Sequence, residues 1–251
     1  MGVISLGEFD SSFYPIHEEA KKTFLAGYKY ALFLDMPFTG ILYNEKTKKT
    51  EMHINPSCPL VDFLKKSGLT HREAWLLSLA HESGHLELND KCLNSGDSPS
   101  SPDSQLLAIG IEADLRQKVN SDFHKETAIE AYCDARLAQE AVKIMGDKWS
   151  TAVGSLAELR ALNSKSVGFL KGDEYATAEM LEFLLKDKHK KGFNAQDISL
   201  LDSATRALRL SVNKTSILKE RLVKFRESLR RKREEQGGPV KNEHITKNTH
   251  N

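Results

Sequence analysis

Two histidines four residues apart, His81 and His85, with Glu82 directly after the first, are the residues of this chain best suited to do chemistry together. In a helix that spacing puts both imidazoles on one face, about one turn apart. One Zn²⁺ ion can take both nitrogens. Glu82 then sits beside the first ligand, where it can serve an activated water as general base. The pentapeptide His81-Glu82-Ser83-Gly84-His85 therefore points to metal-assisted hydrolysis, with a peptide bond as the expected target.

Such a centre needs a third protein ligand. Glu126, Glu130 and Asp134 recur every four residues in a stretch of helical composition and share one face. Carboxylates in line repel one another unless they are solvated or meet a cation. The small residues Ala128, Ala131, Ala135 and Ala138 predict close helix packing along the same segment. Glu130 is the expected third ligand. Asp134, one turn later, is expected to accept the N–H of a ligating histidine. Glu112 and Asp114 compete for the ligand role from nearer in sequence, and Glu126 competes more weakly. His53 and His71 are read as a strand residue and a first-turn helix residue outside the site.

Hydrolysis also calls for a donor to the developing oxyanion. Tyr132, Tyr175 and His189 are the candidates. Tyr132 lies two residues from Glu130 and so faces away from the metal, while His189 sits in the basic run Lys186 to Lys191. Tyr175, in a turn that enters a helix, is the choice.

Several elements must position these residues. Thr70 and Glu73 form a capping-box pattern, and Ala74, Leu76, Leu77, Leu79 and Ala80 follow as the apolar part of a buried helix leading into His81. Gly84 reads either as close packing against a neighbour or as room near the metal. Gly40–Asn44 and Thr50–Asn55, around the polar turn Glu45 to Lys49, predict a hairpin whose edge could take an extended peptide. The Ser-, Pro-, Gly- and Asp-rich stretch Asn94 to Ser104 predicts a mobile loop, a lid or site insertion.

His81, Glu82 and His85, followed by Glu130 and Asp134, resemble the gluzincin group of zinc metallopeptidases. Thermolysin-like enzymes and the prenyl endopeptidases share this pairing of an H-E-x-x-H helix with an E-x-x-x-D helix. The Gly84 form of the motif is also similar to that of small peptidases that cleave repressors. The resemblance covers residues 40 to 145. It implies His81, His85 and Glu130 as zinc ligands, Glu82 as base and Asp134 as support for a histidine. No further histidine follows His85 in the metzincin pattern.

The 251 residues suit one catalytic domain, with or without an appendage. Charged residues make up 28% of the chain and the net charge is +1, so no global field for nucleic acid follows. No apolar run is long enough for a membrane span, and the prenyl endopeptidases' spans are missing. No secretory signal is expected at Met1 to Leu6, and Leu6 stands where a myristoylation motif needs Ser or Thr. Three cysteines, Cys58, Cys92 and Cys133, suit a reducing compartment, with Cys133 a small buried residue. The expected location is the cytoplasm, or a host cell reached without a signal peptide.

Toward the C-terminus the composition stays helical, with a break from Ser164 to Gly172 and one or two helices from Ala195 to Arg231. Leu218, Leu222, Phe225 and Leu229 form a 4-3-4 apolar stripe. Lys214 to Arg233 holds nine Lys or Arg against two Glu, and Arg230 to Arg233 resembles a nuclear-localisation patch. The Gly-Gly-Pro after Gln236 opens a polar, disordered tail.

The expected whole is a mostly helical α+β, zincin-like domain over 1–205, a basic amphipathic helix over 206–235 and a tail over 236–251. The expected function is that of a monomeric zinc metalloendopeptidase, regulatory or effector, acting on a protein or peptide. Two other readings stand beside it: a non-catalytic zinc-binding protein, and an adaptor that works through the basic helix on a partner or nucleic acid.

Overall fold

The computed structural model describes residues 3–4, 13–23, 32–33, 39–53, 58–119, 121–166, 177–186 and 193–235. The chain is predominantly helical and divides into two units, Met1–Ser211 and Val212–Asn251. Among the described residues no helix is long and apolar enough to cross a membrane.

The first unit is organised on helix α3, His71–Asn94. Its start is the predicted capping box. Thr70 Oγ1 accepts from Glu73 N at 3.2 Å, and Thr70 N donates to Glu73 Oε2 at 2.8 Å. Such a cap is worth about 1 kcal/mol. Thr70 N and Thr70 Oγ1, both donating to Glu73 Oε2 at 2.8 Å, hold the Glu73 carboxyl below its usual range. From Ala74 to Gly84 every residue of α3 is buried. A helix apolar nearly all round must be covered on all sides, and α3 is packed by the helices α1 (Phe13–Thr23), α2 (Pro59–Lys66), α4 (Pro102–Ile109) and α6 (Asp122–Met145). An Arg72–Glu19 ion pair ties the first turn of α3 to α1.

Strands β3 (Gly40–Asn44) and β4 (Lys49–His53) pair antiparallel, with Gly40 opposite His53 and Asn44 opposite Lys49. Asn44 closes the turn by accepting from Lys46 N and Thr47 N at 3.1 and 3.2 Å. The short strands β1 (Val3–Ile4) and β2 (Leu32–Phe33) join β4 in parallel. The inward Met52 is fully buried.

The loop expected from Asn94 to Ser104 is found at residues 95–101, and only its ends are helical. Helix α3 runs to Asn94, and α4 starts at Pro102, so the connection is short. Ser101 caps α4, Pro102 fits its first position, and Gly110 ends it in the left-handed region at φ 96°. Ser100 reaches Glu45 in the hairpin turn at 2.7 Å. Lys125 of α6 pins α4 through Asp103 at 2.6 Å. Composition marked the loop, and what it did not mark is that Ser101 and Pro102 already open a helix. The short helix α5 (Ala113–Gln117) follows before α6.

After α6 come α7 (Trp149–Ser166), α8 (Ala178–Lys186) and α9 (Leu200–Glu235), the last a single helix of 36 residues. Trp149, Ala152, Val153 and Leu156 form the buried stripe of α7.

Candidate metal centre

Helix α3 presents His81, Glu82 and His85, and α6 presents Glu130 beside them. His81 Nε2 lies 3.5 Å from Glu130 Oε2, and His85 Nε2 lies 3.3 Å from Glu130 Oε1. One nitrogen or oxygen from each of His81, His85 and Glu130 falls within 4.8 Å of the others, a set that could hold a metal ion. The two rings stand edge to face with centroids 5.2 Å apart, so their Nε2 atoms converge.

The two helices can approach this closely because of Gly84. A Cβ there would lie 2.9 Å from Cys133 Sγ and 3.0 Å from Cys133 Cα. Of the two readings of Gly84, the structure favours close packing. Ala128, Ala131, Ala135 and Ala138 are all fully buried on α6, as their small size predicts. Cys133 is a buried thiol whose pKa burial pushes well up, so it is a packing residue.

Asp134, one turn after Glu130, has no exposed surface and lies with Oδ1 3.0 Å from His81 Nδ1. That nitrogen is itself buried and faces the Asp134 carboxylate. Arg160 of α7 grips Asp134 with both arms, Nε to Oδ2 at 3.0 Å and Nη2 to Oδ1 at 2.6 Å. Its Nη2 also reaches Glu130 Oε2 at 3.4 Å. Thr177 Oγ1 donates to Asp134 Oδ2 at 2.5 Å. Burial works to raise the Asp134 pKa, but the Arg160 charge and His81 outweigh it and hold it at about 2. Burial also opposes the charge on His81, and there the bonds to Asp134 and Glu130 prevail and lift its pKa to about 10. Glu130 is held well below its usual range, since its bonds from His81 and His85 outweigh burial. Glu82 goes the other way. Burial raises its pKa, and the nearby histidines only partly offset that.

The charge count tests whether a metal fits. Glu82, Glu130 and Asp134 are three carboxylates, and Arg160 is the one fixed cation of the described cluster. With neutral histidines this leaves two negative charges in a largely buried site, an arrangement that is costly unless compensated. One divalent cation restores balance. The donor set of two imidazoles and a carboxylate suits zinc. Without metal, a proton on His81 supplies part of the compensation, in keeping with its raised pKa.

His81, Glu82, His85, Glu130 and Arg160 line one cleft of about 430 Å³. Its walls come from Thr39, Gly40 and Ile41 at the start of β3, from Cys58, Pro59 and Leu60 at the start of α2, and from Leu159. The strand edge thus borders the candidate ligands.

The competing ligands lie elsewhere. Glu112 and Asp114 are exposed at α5, and Glu126 is not part of the cluster among the described residues. His71 is in the first turn of α3 against Trp75. His53 is a strand residue of β4. Tyr132 faces away from the candidate ligands. Its hydroxyl donates to Glu87 at 2.8 Å and accepts from Lys91 at 3.1 Å. Tyr175 and His189 lie outside the described residues, as does the tail after Glu235.

Arg160 and Thr177 were not found from the sequence. A signal for Arg160 existed. It stands four residues after Leu156 on the buried stripe of α7, where an arginine is sustainable only against a carboxylate. Thr177 carries no such signal. No family model, curated protein or solved structure matches this chain.

Proposed function

We propose that this chain is a zinc-dependent metalloendopeptidase with a zincin-like catalytic domain. The observation that carries the reading is the convergence of His81, His85 and Glu130 beside a buried Glu82 in an open cleft. A site that held zinc only for structure would have no use for Glu82 there.

His81, His85 and Glu130 would hold the ion and leave a position open toward the cleft. A bound zinc ion supplies Lewis acidity for the attacking water and the scissile carbonyl. Glu82 takes the proton of that water on its carboxylate and passes it to the leaving amine. Its raised pKa brings it nearer neutrality, where a group that must accept and then release a proton works best. Asp134, held by Arg160 and Thr177, fixes the orientation of His81 through Nδ1. The edge of β3 at Gly40 and Ile41 would pair with an extended peptide and lay its carbonyl across the ligands. Tyr175 is proposed as oxyanion donor on sequence grounds.

The test is zinc content and peptide turnover of the wild type beside Glu82→Gln. About one zinc per chain in both proteins, with turnover only in the wild type, is the expected result. Turnover retained by Glu82→Gln would remove Glu82 as the base. A wild type that takes up no zinc on reconstitution would overturn the whole reading.

A further inference from the structure

The second unit carries a feature that peptide hydrolysis does not use. From Val212 to Glu235 the chain is continuous helix. At 3.6 residues per turn, positions 218, 222, 225 and 229 fall within an arc of about 60°. They are Leu218, Leu222, Phe225 and Leu229. Of the nine Lys and Arg from Lys214 to Arg233, all but Lys224 and Arg231 fall within about 110° of the centre of that arc. Glu220 and Glu227 fall on the opposite pole. From Lys214 to Arg233 the residues whose exposure is described are all exposed; Val223, Lys224, Glu227 and Arg231 belong to that far side and Ser228 to its margin.

An apolar stripe flanked on both sides by cations, with Glu220 and Glu227 at the far pole, fits three kinds of occupant unequally. In a heptad register the stripe occupies a and d positions, and Lys219, Arg221 and Arg226 then flank the seam. All three share one sign, so pairing with a second copy is repelled. Nucleic acid would meet the apolar residues at the centre of the basic face, where phosphates gain nothing. The stripe spans under two heptads, too short to hold a separate acidic helix. An anionic bilayer surface satisfies both parts at once. Acyl chains take the stripe, and headgroups take the flanking cations.

We propose that Val212–Glu235 is an interfacial helix that docks the protein on anionic lipid surfaces. The test is co-sedimentation of the full chain with vesicles, comparing pure phosphatidylcholine with vesicles that contain phosphatidylserine. The expected result is binding to the anionic vesicles alone, weakened by salt. Arg221→Gln with Arg226→Gln removes one cation from each flank and keeps good helix formers. At about a factor of five per basic residue, that pair should lower affinity roughly thirtyfold. Leu222→Gln should lower it as well, and circular dichroism checks that both variants keep their helix. No binding to anionic vesicles, equal binding to neutral ones, or affinity unchanged in the double variant would overturn the proposal. Binding to a DNA duplex more tightly than to anionic vesicles would overturn it too.

Discussion

Gly84→Ala is the most revealing single substitution in the candidate centre. The added methyl carbon would lie 2.9 Å from Cys133 Sγ, 3.0 Å from Cys133 Cα and 3.2 Å from Cys133 Cβ. Carbon atoms rest at about 3.5–4.0 Å, so α3 and α6 must separate by roughly 0.5 Å or more. Overpacking of this kind costs about 1–3 kcal/mol, and exchanging glycine for alanine in a helix returns up to about 1. The net loss of stability should be about 1 kcal/mol, within a span of about 0–2. The effect on metal should be larger than that suggests. His81 and His85 stand on one of the two helices and Glu130 on the other. Zinc sites tolerate distance errors of about 0.2 Å, so the separation pulls the ligand set out of range. We expect zinc affinity to fall at least about tenfold, measured by competition with a chromophoric chelator, and the melting temperature of the metal-free protein to drop. Adding Cys133→Ala removes the sulfur but leaves Cα and Cβ in place, so it should restore less than half of the loss. A Gly84→Ala protein that melts like wild type and binds zinc within a factor of about two would refute the claim that this contact sets the ligand geometry.

Arg160→Met should cost about 3–5 kcal/mol at neutral pH, because it strands the Asp134 carboxylate in a buried site. The wild-type Asp134 has a depressed pKa of about 2, so its contribution is present above the unfolded value near 4 and is lost as pH falls through 2. Urea melts from pH 6 to pH 2 should show that acid loss in the wild type and a flatter limb in Arg160→Met; parallel limbs would disprove the pairing. In the metal-free protein the His81 pKa of about 10 means that zinc must displace a proton at neutral pH. Calorimetric titration at pH 7 in two buffers of different ionisation enthalpy should find about one proton released per zinc, and a release near zero would contradict the raised His81 pKa.

The parts of the site that were legible in the sequence are those set by helix periodicity within one segment. His81 with His85 and Glu130 with Asp134 are each fixed by a four-residue step, and the cap at Thr70 by a three-residue one. What could not be read was set across segments. Arg160 gains its meaning only when α7 lies against α6, and no local pattern announces that packing. Gly84 carried two readings until Cys133 was placed beside it. The loop before α4 was legible but its end at residue 101 was not, because Ser, Pro and Asp favour loops and helix starts for the same reason: their side chains or fixed φ serve a backbone that is leaving regular structure. Composition cannot separate the two, and only the hydrogen bond from Ser104 N to Ser101 does so.

The placement of Arg160 also bears on what the centre is for. A guanidinium that served only to neutralise the two acids of α6 would sit evenly between them. Instead its two short bonds go to Asp134, at 3.0 and 2.6 Å, and Glu130 receives a single long one at 3.4 Å. Asp134 is thereby satisfied by protein alone, with Thr177 adding a further bond. Glu130 is left with its oxygens turned toward His81 and His85 at 3.5 and 3.3 Å, distances of near contact and not of firm pairing. Burial raises the Glu82 pKa, and the charges of His81, His85 and Arg160 offset that only in part. Among the described residues of the cluster, Arg160 thus binds Asp134 most closely, and Glu130 relies chiefly on His81 and His85 for its compensation. That division is costly for a purely structural ion network. It is what a site requires if the missing positive charge is to come from a divalent ion.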